Sequence, residues 1–254
     1  MRLSSALVSS ILALAPLVLG QDASLDSVRQ AFEAANIPQN LTVTFNPTVL
    51  LDVTLPQTSG DPITLSAGLQ LPRNATAGPP TFSLRSNASV GTGPFVIASV
   101  DPDAPTPQDP IRASIRHFLG GSFVLSGTES GVLANSTPAL TEYRGPNPPA
   151  GSDPHRYIFL IYAQPAGFDA QTAVTPDTAI ANFNLSAFAE STGLGNPIGG
   201  TFMVVGPDAP AASNGTDGTD ATNGTGTGNG TDTQTSGAAR AAYNVVGALI
   251  GYLL

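Results

Sequence analysis

The 254-residue chain contains no cysteine, no tryptophan and no lysine, and its nine basic side chains, all arginine, face eighteen Asp and Glu for a formal net charge of −9. Without cysteine there is no disulfide, no thiolate nucleophile and no cysteine-held metal. Without lysine there is neither a Walker-type phosphate loop nor a Schiff base. Few cations in an acidic chain exclude a nucleic-acid binder, whose affinity comes from clustered Lys and Arg displacing counterions. The absence of tryptophan also weakens any aromatic platform for sugars.

What the chain does have begins with its ends. After Met1-Arg2, the stretch from Leu3 to Leu19 is almost wholly apolar and gives way to Gly20 and the polar Gln21-Asp22. This pattern predicts a cleaved secretory signal over 1–20. An uncleaved anchor helix is the competing reading, and Pro16 speaks against it. The last apolar run, Ala241 to Leu254, rises only about 21 Å as a helix against a hydrocarbon core of roughly 30 Å. A tail of that kind behind small residues and a polar spacer predicts a C-terminal glycosylphosphatidylinositol (GPI) signal over 238–254. Spacer length favours Gly230 as the attachment residue, and residue size favours Ser236.

Residues 207–237 are nearly all Gly, Thr, Asn, Asp, Ser and Ala. Such a segment has nothing with which to build a core and reads as a disordered tether. It carries the glycosylation sequons of Asn214, Asn223 and Asn229, while Asn40, Asn74, Asn87, Asn135 and Asn184 lie upstream. An exported chain with these sequons is expected to be a glycoprotein at the cell surface, in the plasma membrane or cell wall, held by its lipid anchor only.

The remainder, 21–206, is long enough for one core. Ser24 can cap a helix whose Leu25, Val28 and Phe32 share a face, and Pro38 bars its continuation. Strands are expected at 41–45, 49–55, 63–66 and 81–84, and two apolar runs, 95–100 and 157–163, read as strands covered on both faces. Asn184 can cap a second helix over 185–191, in competition with glycosylation there, and 201–205 forms a last strand. The class is mostly β with a few helices.

Both histidines of the chain sit in unusual surroundings. The run ending at Val100 leads into Asp101-Pro102-Asp103-Ala104-Pro105 and then, after a loop, His117-Phe118. A second block, Gly145-Pro146-Asn147-Pro148-Pro149, precedes His155-Arg156-Tyr157 and the other apolar run. Either block alone is readily explained as a rigid turn. Together they place polar groups at the mouths of two central strands, where a sheet can hold them against a ligand.

Together, these motifs resemble those of the phosphatidylethanolamine-binding protein (PEBP) family, also called Raf-kinase-inhibitor-like proteins. The D-P-D-x-P signature stands at Asp101 to Pro105, and the second signature at Gly145 to Pro149 with His155-Arg156-Tyr157; weaker similarity extends over roughly 24–205. The resemblance implies a large antiparallel sheet with a smaller second sheet and flanking helices. It also implies a small anion pocket lined by Asp101, Asp103, His117, Asn147, Pro148, His155 and Tyr157, and a cis Ala104-Pro105 bond. Asn147 departs from the family's second loop glycine, and Ile115-Arg116 from the aromatic and histidine usual before His117.

The expected activity is non-enzymatic binding, as a monomer and without cofactor, of a small anionic or zwitterionic ligand such as a phospholipid headgroup, or of a peptidase to be inhibited. Two enzymatic readings stay open. One is a hydrolase with His117 and Asp101 as base and orienter, although no Gly-x-Ser-x-Gly elbow supplies its nucleophile. The other is a metal site made of Asp101, Asp103, His117 and His155.

Overall fold

The computed structural model describes residues 21–208 apart from 87–90, 127–130 and 136. The expected signal peptide, the tail, the attachment candidates Gly230 and Ser236, and the sequons at Asn87, Asn214, Asn223 and Asn229 lie outside the described residues, as does all of the expected tether but its first two residues.

In chain order the elements are α1 (Leu25–Ala34), α2 (Ile37–Leu41), β1 (Leu50–Leu55), β2 (Ile63–Thr64), β3 (Leu69–Leu71), β4 (Thr81–Arg85), β5 (Phe95–Asp101), β6 (Ile115–Leu125), β7 (Val132–Ala134), β8 (His155–Ala163), α3 (Leu185–Thr192) and β9 (Gly199–Val205). Ser24 caps α1 as its sequence predicts, accepting the Ser27 amide in a reciprocal capping box. The expected strand at 41–45 is not formed. Asn36 at φ 53° ends the first helix, Pro38 takes the first turn of α2, where its missing N–H costs nothing, and Thr42 at φ 54° turns the chain out again.

The strands form one nine-membered sheet in the order β2-β1-β4-β7-β6-β5-β8-β9-β3. The large and small sheets implied by the family resemblance are therefore continuous. The long β6 bridges them, pairing its first part with β5 and its last residues, Val124 and Leu125, with β7. Period-two alternation then sorts the apolar side chains. Phe95 and Ile97 of β5 and Tyr157, Phe159 and Ile161 of β8 face Leu51, Val53 and Phe82 of the smaller half. Their neighbours Val96, Ala98, Ile158, Leu160 and Tyr162 face Phe32 of α1 and Phe188 of α3. Both faces of β5 and β8 are thus covered, which is why these strands read as unbroken apolar runs.

Pairing also determines which loops meet. Val100 lies opposite Ile158, Asp101 opposite Ile115, His155 opposite Val205, and Leu71 alongside Val205 where β3 runs parallel to β9. The exits of β5, β9 and β3 and the entries of β6 and β8 therefore converge at one end of the large sheet.

Candidate functional site

Asp101 closes β5, and His155 and Tyr157 open β8 on the same end of the sheet; among these, Asp101 and His155 are 3% and 1% exposed. His155 Nδ1 lies 2.9 Å from Asp101 Oδ2, and the other Asp101 oxygen accepts the Asp103 amide at 2.8 Å. A buried carboxylate requires such partners, because leaving it unpaired out of water is costly. Burial alone pushes the imidazolium of His155 down, but the hydrogen bond and charge of Asp101, the charge of Asp103 and the Pro105 carbonyl more than offset it, so its pKa is raised. Facing Asp101, the His155 ring keeps its proton to higher pH than a free imidazole does.

His117 follows another rule. It lies on β6, mostly buried, with Nδ1 donating to the Arg144 carbonyl at 2.6 Å, and its ring meets that of Tyr157 edge-on at 5.0 Å. Burial holds its pKa below the usual histidine value, and although the Arg144 carbonyl and Asp101 pull upward, the charges of His155 and Arg144 add to the depression. At neutral pH its Nε2 is therefore a lone pair, an acceptor and not a donor. Tyr157 stacks near the His155 ring at 6.3 Å, and burial, then Asp101, keeps its hydroxyl protonated.

The loop over this cluster is fixed from the far side. Tyr143 donates to the Thr76 carbonyl at 2.8 Å, and Gly145 comes so close to the same segment that a Cβ would meet the Thr76 oxygen at 3.0 Å. Asn147 keeps a negative φ. Its backbone amide favours the ionised form of the Tyr157 hydroxyl, against the burial that opposes it, and its side-chain oxygen accepts from Arg73 Nη2 at 2.6 Å. Pro148, within the loop, is buried, and the Ala104-Pro105 bond is cis, as the resemblance implies.

The predicted site residues are thus brought together with one exception of role. Both oxygens of Asp103 are committed to Arg156, at 2.6 Å to Nη2 and 2.8–2.9 Å to the backbone amide and Nε. Arg156 reaches on to Asn40 Oδ1 at 2.9 Å and to the Ala35 carbonyl, so Asp103 fastens β8 to the α1–α2 corner. Among the described residues no three His, Asp or Glu side chains converge as a metal would need.

Two residues absent from the sequence reading belong here. Arg73 grips the loop from outside, and neither signature of the site lies near it in sequence. Ser152 places Oγ 3.2 Å from His155 Nε2, so that Ser152, His155 and Asp101 stand in the contact order of a hydrolytic triad. Its hydroxyl, however, donates to the Asp153 carbonyl at 2.7 Å, and Nε2 equally faces the Pro105 carbonyl at 3.2 Å. Nε2 therefore carries the proton and Ser152 accepts it, the reverse of what a general base needs.

A buried Asp101–His155 pair, a buried histidine and a proline-braced loop thus meet at one end of a curled sheet. A family model described as phosphatidylethanolamine-binding protein matches residues 58–203, more than half of the 254-residue chain, and the chain belongs to that family. It is 37% identical over 103 residues to Protein MOTHER of FT and TFL1 homolog 2 of Oryza sativa subsp. japonica, covering 41% of this chain and 55% of the rice protein. It is 34% identical over 90 residues to the carboxypeptidase Y inhibitor of Saccharomyces cerevisiae, covering 30% and 40%, and 30% identical over 115 residues to the 26 kDa secreted antigen of Toxocara canis, covering 42% and 40%. The chain thus spans about half or less of the length of these curated relatives. Among solved structures, carboxypeptidase Y inhibitor complexed with its cognate proteinase superposes with a TM-score of 0.61 at 25% identity over 76% of this chain and 98% of that one. A phosphatidylethanolamine-binding protein from Plasmodium vivax, with a TM-score of 0.53 at 16% identity over 70% and 97%, shares the fold.

Proposed function

We propose that this chain is a non-enzymatic, extracellular binding protein whose pocket takes a phosphorylated headgroup of the phosphoethanolamine kind, or a carboxylate, and that it acts by occupying a partner such as a peptidase. In this reading 1–20 is removed on export, 21–206 is the binding domain, and 207–237 is a glycosylated tether. The tail 238–254 is exchanged for a GPI anchor at Gly230 or Ser236, with the protein monomeric on the cell surface. The yeast relative's name as an inhibitor, and its structure with a proteinase, support the peptidase; the nematode relative's name as a secreted antigen supports the location.

One observation carries the binding reading. His155 Nδ1 faces Asp101 Oδ2 at 2.9 Å, so the carboxylate that would repel an anion is already engaged, and the buried His117 beside them can take up a proton as an anion arrives. The ammonium of a zwitterion finds Asp101 already engaged, so the phosphoryl end is the part recognised. Calorimetric titration of the mature protein with inorganic phosphate and phosphoethanolamine tests this: both should bind within a few-fold of each other, and His117→Ala should weaken both. Failure of either ligand to bind the wild type overturns the reading.

The Ser152, His155 and Asp101 contacts favour hydrolysis as a second reading. A fluorophosphonate probe decides between them, since an activated serine is labelled and one that only accepts a hydrogen bond is not. Labelling abolished by both Ser152→Ala and Asp101→Asn would establish the enzyme; an unlabelled wild type supports the binder.

A further inference from the structure

The parallel pairing of β3 with β9 sets Leu71 beside Val205, so the segments leaving these strands run out side by side. Arg73 and Asp208, a few residues further on, meet there as an ion pair. The same guanidinium donates to Asn147 Oδ1 at 2.6 Å and from Nε to the Pro146 carbonyl at 3.4 Å, and its charge acts on the Tyr157 hydroxyl. One arginine therefore touches the loop above the pocket and a carboxylate from the last described turn of chain.

The other cations at this end are differently placed. Arg156 is committed to Asp103, and His155 to Asp101. Arg144 presses its charge on His117 but has no bond to the loop residues that face Tyr157. Among the described residues, Arg73 is the one whose guanidinium, the planar donor fork that suits carboxylate and phosphoryl oxygens, hydrogen-bonds the 145–149 loop.

We propose that Arg73 is the cation of the anion site and that Asp208 is its internal competitor, holding the guanidinium until a phosphoryl or carboxylate group replaces it. The inference rests on the binding reading above and names the residue that would supply its charge. The exchange is energetically easy, because the Arg73 and Asp208 side chains are 32% and 65% exposed and such pairs are weak in water. A dianionic phosphoryl group offers the fork more charge than Asp208 and, reaching under the loop, a second contact at His117.

The test is phosphate affinity of the full mature chain, by calorimetry at low and physiological salt, in wild type, Asp208→Asn, Arg73→Gln, the double variant and Arg29→Gln. The last removes a partly exposed arginine of α1, paired with Asp26, as a control for net charge. Asp208→Asn should tighten inorganic phosphate by about two- to five-fold, as removal of a weak exposed pair allows. Arg73→Gln should weaken it by about ten-fold or more, as loss of a charge-assisted bond requires. The double variant should bind like Arg73→Gln, since the competitor has nothing left to block, and Arg29→Gln should leave affinity unchanged. Should Arg73→Gln loosen the loop instead, Arg73→Lys keeps the charge without the fork and should recover part of the affinity. Phosphate binding that is insensitive to Arg73, or an Asp208 effect that persists without Arg73, overturns the proposal. Absence of phosphate binding in the wild type overturns the binding reading itself.

Discussion

Asp101→Asn is the substitution that most sharply examines the pairing at the centre of the site. It replaces the carboxylate by a neutral group of the same shape, so the Asp103 amide keeps its acceptor while His155 loses its counter-charge. Side-chain exposures of 2% for His155 and 4% for Asp101 put the pair among buried ones, for which removing one partner costs about 3 kcal/mol. The cost depends on pH, and its sign follows from the shifts. In the wild type the raised pKa of His155 contributes stability that is fully present below its unfolded value of about 6.5 and is lost as pH rises through the folded value. In the variant, burial remains and the largest raising partner is gone, so the folded pKa falls and the stability gained at low pH shrinks with it. The gap between the two proteins should therefore be widest near pH 5 and close steadily toward pH 8. For a domain of this size about 3 kcal/mol corresponds to roughly 6–12 °C in melting temperature. Thermal unfolding of both proteins across this range measures it. A gap that is constant, or that widens with rising pH, would refute the charged-pair assignment.

Two further outcomes follow from other parts of the molecule. Because burial holds His117 neutral at pH 7, anion binding should draw a proton to it. Affinity for sulfate, whose charge is fixed in this range, should rise below pH 6.5 by at most about tenfold per pH unit, with proton uptake visible as a buffer-dependent binding enthalpy and lost in His117→Ala; a flat profile would contradict it. At α3, Asn184 caps through Oδ1, which accepts the Ala187 amide at 3.0 Å. A glycan would attach at Nδ2, so the competition expected between capping and glycosylation does not arise. Asn184→Ala should then cost about 1 kcal/mol and remove one glycan's mass, whereas an unchanged mass would show that this sequon is not used.

Much of this site was legible because its carriers are punctuated. Proline beside each aspartate and a proline-rich loop before His155 mark turns at the ends of two apolar strands, and neither strand could be read as anything else. The longest strand, β6, was not legible. Arg116, His117, Gly120, Gly121 and Ser122 interrupt its apolar pattern, and each has a local reason. A Cβ at Gly120 would strike the Phe118 ring at 2.9 Å, and one at Gly121 the Phe168 ring at 2.8 Å. Arg116 is buried yet satisfied, by Thr141 Oγ1 at 2.6 Å and the Thr178 carbonyl at 2.9 Å, with Phe183 beneath its guanidinium. The strand expected at 41–45 failed because alternation over five residues cannot reveal left-handed turns at Asn36 and Thr42. Arg73 was hidden for a different reason: its partners Asn147 and Asp208 are brought to it only by the β3–β9 pairing and the loop that Gly145 lets approach.

The most direct measurement of the central claim is a crystal structure of the mature domain grown with phosphoethanolamine, read together with the solution composition of the same sample. The expected result is an intact headgroup, its phosphoryl oxygens against His117 and Arg73, the Asp101–His155 pair undisturbed, and no product in solution after prolonged incubation. A pocket left empty at saturating ligand, or ethanolamine and phosphate released at a rate that Ser152→Ala abolishes, would contradict it.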